Sequence, residues 1–209
     1  MRRAALVTGC LVLALAWWVA GAGHSMVAHM TAHMAAVAIA APLVGFGLAG
    51  TPADPATRWP RVVAPLPMML LELAVVWGWH LPAARKVASA SAAGLVAEQA
   101  MFFAAGLLLW SACIGSGHAG SETRRAVAVI ALLLTTMHMT LLGVLITLAP
   151  RLLYGTSPEA ALGLTPMADQ QLGGVIMLVV GGGSYLLGGT ALLAGLLRGD
   201  RPRTSQLWS

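Results

Sequence analysis

Six stretches of this chain are apolar almost without interruption, at residues 4–22, 26–49, 63–82, 90–113, 126–149 and 171–197. Each suits a helix of about 20 residues, the length that crosses the ~30 Å hydrocarbon core of a bilayer. The runs are too long for barrel strands. The breaks between them carry turn chemistry: Gly21 to Ser25, Thr51 to Pro60, Pro82 to Lys86, Gly115 to Arg125 and Pro150 to Pro166. The pattern predicts an all-α polytopic bundle of about six transmembrane helices, one membrane domain over residues 1–209. It shows no internal repeat, and no loop has room for a soluble domain.

The polar positions inside these runs are few, and polar side chains in a membrane are costly and usually functional. The second run opens with Met26, His29, Met30, His33 and Met34. At about 100° per residue the first four share one helix face, with Met34 at its edge. Two imidazoles and several thioethers are ligand types that bind copper, and sulfur favours Cu(I). Glu72, Glu98 and His138 lie within later runs, His80 closes the third, and Asp169-Gln170-Gln171 opens the last. At 1.5 Å per residue, His33, Glu72, Glu98 and His138 sit roughly 10–16 Å from one end of their spans. The pattern therefore predicts a polar cluster from five helices in one half of the bilayer. Each residue also has a plainer role open to it. His80 suits the interfacial belt beside Trp77 and Trp79, the methionines suit apolar filling, the glutamates suit helix–helix hydrogen bonding, and Asp169 suits a helix N-cap. Gly181-Gly182-Gly183-Ser184 has no following lysine, so it reads as a close-packing stretch and not a phosphate loop.

Composition agrees with the membrane assignment: 58% of residues are hydrophobic and 9% charged, with mean hydropathy +0.82. The net charge of +5 does not indicate a nucleic-acid partner, because the basic residues stand at span ends. Arg2, Arg3, Arg58, Arg61, Arg124, Arg125, Arg198, Arg201 and Arg203 fall on one side, against Arg85, Lys86 and Arg151 on the other. The positive-inside rule then places both termini in the cytoplasm and the His/Met stripe at the outer face. Residues 1–22 have a rival reading as a signal peptide, with Arg2-Arg3, an apolar stretch and Ala20-Gly21-Ala22. Cys10 and Cys113 lie inside apolar runs, which argues against a disulfide framework.

Four segments together resemble the multispanning CtaG family of cytochrome c oxidase assembly factors: residues 29–42 (HMTAHMAAVAIAAP), 77–82 (WGWHLP), 135–154 (TTMHMTLLGVLITLAPRLLY) and 169–177 (DQQLGGVIM). The resemblance implies a non-enzymatic, multi-pass protein of the bacterial plasma membrane that helps build the oxidase through copper delivery to its binuclear centre. By the same resemblance His29, His33, His80, His138 and Asp169 are motif residues. The family's fourth span commonly reads Glu-His where this chain has Glu98-Gln99.

The expected metal set is His29, His33, His80, His138, Met26, Met30 and Asp169, with Glu72 and Glu98 as acceptors that hold the far nitrogens of the imidazoles and so orient them. The expected cargo is copper as Cu(I), taken from a periplasmic donor and passed to oxidase subunits within the lipid bilayer; a homodimer is one arrangement left open. Two other functions fit the pattern less well. A membrane cytochrome would ligate b-type haem through two histidines such as His33 and His138. A metal-free scaffold would use the polar cluster only to lock helices together.

Overall fold

The computed structural model describes residues 1–23, 25–119, 122–154 and 163–199, with backbone alone at 116–119 and 199. Among the described residues it is all-helical: α1 Arg2–Ala22, α2 Met26–Leu48, α3 Pro55–Arg58, α4 Pro65–Trp79, α5 Pro82–Ala90, α6 Ala92–Ala119, α7 Glu122–Thr147 and α8 Pro166–Arg198. Among the described residues, α1, α2, α6, α7 and α8 are long and apolar enough to cross a membrane. The bent pair α4–α5 makes a sixth if it is taken as one span.

That third span departs from the expected straight run over 63–82. Helix α4 has only 15 residues, about 22 Å at 1.5 Å per residue. The chain then turns by 75° into α5. Pro82 causes the break. It holds Leu81 extended and occupies the first turn of the next helix, where its missing N–H costs nothing. Residues 82–86, expected as a turn, are therefore the start of α5. The last span begins at Pro166 and not at 171, because Thr165 caps it by accepting a hydrogen bond from the Ala168 N–H at 3.3 Å. Asp169 and Gln170 thus lie inside its first turns.

Helix α2 runs through the middle of the bundle, with α1, α6 and α8 packed on it. Its α-helical ladder gives way to a π-helical stretch at Ala35–Ala40. Pro42 explains what surrounds that stretch. Having no N–H, it leaves a carbonyl unserved whether the ladder is read at four residues back (Ala38) or five (Val37). Neighbouring helices supply the donors that lipid cannot. The Ser184 hydroxyl donates to the Ala38 carbonyl at 2.6 Å, and Trp110 Nε1 donates to Val37 at 3.2 Å. A second π-helical stretch, Met177–Gly181, sits in α8 against this region.

Helices in lipid gain little from apolar burial against one another and rely on close packing. Glycines supply it here. A methyl on Gly143 of α7 would stand 2.9 Å from the Gly174 carbonyl and from Leu178 of α8. A methyl on Gly9 of α1 would stand 2.8 Å from Val44 of α2. Gly183, by contrast, has nothing within 4 Å. We therefore expect Gly143→Ala to cost about 1–3 kcal/mol by overpacking, read as a lowered thermal midpoint in detergent. Gly183→Ala should leave that midpoint unchanged or raise it.

Candidate metal centre

Three histidines meet where α2, the end of α4 and α6 converge. His29 and His33 are one turn apart on α2, and His80 is the C-cap residue of α4. One nitrogen from each ring can be chosen so that all three lie within 4.8 Å of one another. Nitrogens bound to one ion at 2.0–2.1 Å are about 3.5 Å apart, so small ring rotations would close the set. His29 is 3% exposed, His33 0% and His80 5%. Buried imidazoles normally find hydrogen-bond partners. Yet both ring nitrogens of His29, both of His33 and Nε2 of His80 have none among the described residues.

The rings are nonetheless held. Phe102 stacks on His33 with centroids 3.8 Å apart and planes 10° from parallel. His80 Nδ1 lies 2.6 Å from the Val76 carbonyl oxygen. A carbonyl only accepts, so Nδ1 carries the proton and the lone pair of Nε2 is left free. The backbone of His80 is tied as well, since the Tyr154 hydroxyl donates to its carbonyl at 2.9 Å. Burial pushes the Tyr154 phenol up to about 12, so that donor keeps its proton throughout the physiological range. His29 Nδ1 is 3.7 Å from Glu98 Oε2.

Glu98 is fully buried, and Arg85 reaches it from α5. Arg85 Nη1 donates to Oε1 at 3.1 Å and to Oε2 at 2.8 Å. Glu98 thus stands between a guanidinium and an imidazole.

Asp169 does not face the three rings with a free oxygen. Its Oδ2 accepts from the Met26 N–H at 2.6 Å and its Oδ1 from the Val27 N–H at 3.2 Å. It caps α2 from another helix, while Ser25 caps the same turn locally by accepting from the Ala28 N–H. Gln170, next in line, ties down the α7–α8 loop. Its Oε1 accepts from the Leu153 N–H at 2.7 Å, and its Nε2 donates to the Arg151 carbonyl at 3.3 Å.

The remaining expected residues lie elsewhere. Met26 and Met30 turn toward α8, where their Cγ atoms would be 2.9 and 3.2 Å from a methyl on Gly173. Met34 packs likewise on Gly181. Glu72 accepts a hydrogen bond from the Tyr185 hydroxyl, and its Oε2 is 3.8 Å from His138 Nε2. Tyr185 in turn stacks on Trp110 at 5.3 Å. Glu72 and His138 therefore meet each other on α4 and α7, and Glu98 is the carboxylate beside the three histidines. His24 lies outside the described residues.

The sequence model of a family described as the cytochrome c oxidase caa3 assembly factor, Caa3_CtaG, matches residues 1–199. The chain belongs to this family. No curated protein and no solved structure matched it. The segments that carried the resemblance gain physical roles in this assembly factor. Residues 29–42 supply two of the three rings and Pro42, residues 77–82 supply His80 and the Pro82 bend, and residues 169–177 supply the α2 cap and Gly173.

Sequence reasoning passed over Phe102, Arg85, Tyr154 and Tyr185. Two of them had a readable signal. Phe102 lies four residues after Glu98, hence on the same face of α6. Pro82 at a helix start would have made 82–90 a helix and placed Arg85 on it. Tyr154, which closes the 135–154 segment, and Tyr185 act across 74 and 113 residues of chain respectively, and no local pattern shows what they reach.

Removing the long-range cap tests this geometry. Asp169→Ala should cost about 1–2 kcal/mol, the usual loss for a cap, and Asp169→Asn less. Tyr185→Phe should cost about 1–3 kcal/mol by stranding the buried Glu72 oxygen. Thermal unfolding in detergent reads both.

Proposed function

We propose that this oxidase assembly factor carries copper, bound as Cu(I) by His29, His33 and His80, for delivery to the copper centre of the oxidase. The observation that carries the reading is the convergence of three buried imidazoles with unpartnered nitrogens. Leaving buried acceptors unpaired costs stability, and a cation supplies the missing partner. Imidazole suits copper, and neutral histidines need not lose a proton to bind it.

The other expected residues then do supporting work. Asp169 fixes where α2 starts and so the height of His29 and His33. Met26 and Met30 fill the α2–α8 interface at the mouth of the same helix. Glu98 balances charge beside His29. Glu72 and His138 tie α4 to α7 and α8. On the basic-residue bias, the histidines lie in the outer half of a bacterial plasma membrane. There they accept copper from a donor outside the membrane. Transfer to an oxidase subunit within the bilayer suits a site closed to water.

Elemental analysis of the purified protein after anaerobic incubation with Cu(I) tests the reading. Wild type should retain copper after removal of excess metal. His33→Ala should weaken binding by more than the ~10–100-fold typical of losing an outer-shell partner, while leaving the protein inserted. Equal copper in His33→Ala would remove that residue from the site. Iron with a Soret band would favour the haem alternative, and neither metal would favour a scaffold.

A further inference from the structure

Glu98 and Arg85 differ in one respect that matters for a cation arriving beside them. The Glu98 side chain is 0% exposed, whereas Arg85 is 18% exposed on the nine-residue α5. Three neutral imidazoles, one carboxylate and one guanidinium sum to no net charge. A Cu(I) ion held by the histidines would raise that sum to +1 in a region of low dielectric, where uncompensated charge is costly. The Glu98 side chain is fully buried, and arginine does not give up its proton. The guanidinium, on a long flexible stem that already reaches the surface, is the group able to leave.

We propose that Arg85 and the bound copper ion are alternate counter-ions of Glu98. In the empty protein Arg85 holds the carboxylate. When Cu(I) enters, Arg85 swings out to water and Glu98, 3.7 Å from His29 Nδ1, balances the metal charge through that ring. When the ion is handed on, Arg85 returns. The exchange gives a carrier what it requires, capture without trapping, because a built-in competitor lowers affinity and speeds release. The inference rests on the copper reading above and adds a regulatory residue to it.

The sign of one mutation separates this role from a structural one. If the ion pair only braced α5 against α6, removing Arg85 would leave Cu(I) affinity unchanged or lower it. If Arg85 competes with the metal, Arg85→Gln should bind Cu(I) at least tenfold tighter and release it more slowly to a chelator. Arg85→Lys, which keeps the charge, should stay close to wild type, and Glu98→Gln should bind at least tenfold more weakly. The measurement is competition for Cu(I) against a chromophoric chelator, with wild type and the three variants in the same detergent. A second readout needs no variant: arginine-specific modification followed by mass spectrometry should label Arg85 faster in copper-loaded wild type than in the metal-free protein. Unchanged or weaker binding by a folded Arg85→Gln, or labelling indifferent to copper, would overturn the exchange while leaving the copper site standing. Failure of wild type to bind Cu(I) would overturn both.

Discussion

The contact on which the arrangement rests is the Asp169 carboxylate on the first backbone N–H groups of α2. A helix start in an apolar setting exposes donors that must be satisfied. Here the acceptor comes from a helix 143 residues further along the chain. The bond fixes the height of α2 against α8. His29 follows three residues after Met26, and His33 one turn later, so the cap also sets where both rings lie. Gly173, one turn beyond Asp169, lets Met26 and Met30 close the same interface.

The second constraint is Pro42, which breaks the backbone ladder at the other end of the central helix. Trp110 and Ser184 serve the freed carbonyls, and their helices are thereby drawn onto α2. Through Tyr185, stacked on Trp110, the same set reaches the buried carboxylate of Glu72. Polar contacts and close packing at glycines thus define the helix arrangement, as expected where lipid offers no hydrophobic driving force. The three histidines depart from this economy of paired groups, as do the buried side chains of Gln99, Ser111 and His138.

Much of this was legible in the chain. The apolar runs fixed an all-helical membrane bundle. The i,i+4 spacing put His29 and His33 on one face, and Glu98 was read as a partner for an imidazole. What could not be read was how the polar residues divide among themselves. Similar depth in the bilayer does not give rotation about each helix axis, so Glu72 and Glu98 looked equivalent. The structure aims the first at Tyr185 and His138 and the second at His29 and Arg85. The methionine stripe looked continuous with the histidines because a 100° step spreads over a wide face. Once α6 and α8 flank the helix, its two edges meet different neighbours. Arg85 was counted only as a loop charge, because the helix-starting sense of Pro82 was read as a turn.

Nitrogen from three rings is the donor set proposed for copper. X-ray absorption at the copper edge, on Cu(I)-loaded protein, reads that set directly. Ligation by His29, His33 and His80 predicts a shell of nitrogen alone, with the outer-shell scattering that imidazole rings produce. A shell containing sulfur would put Met26 or Met30 on the metal and contradict it.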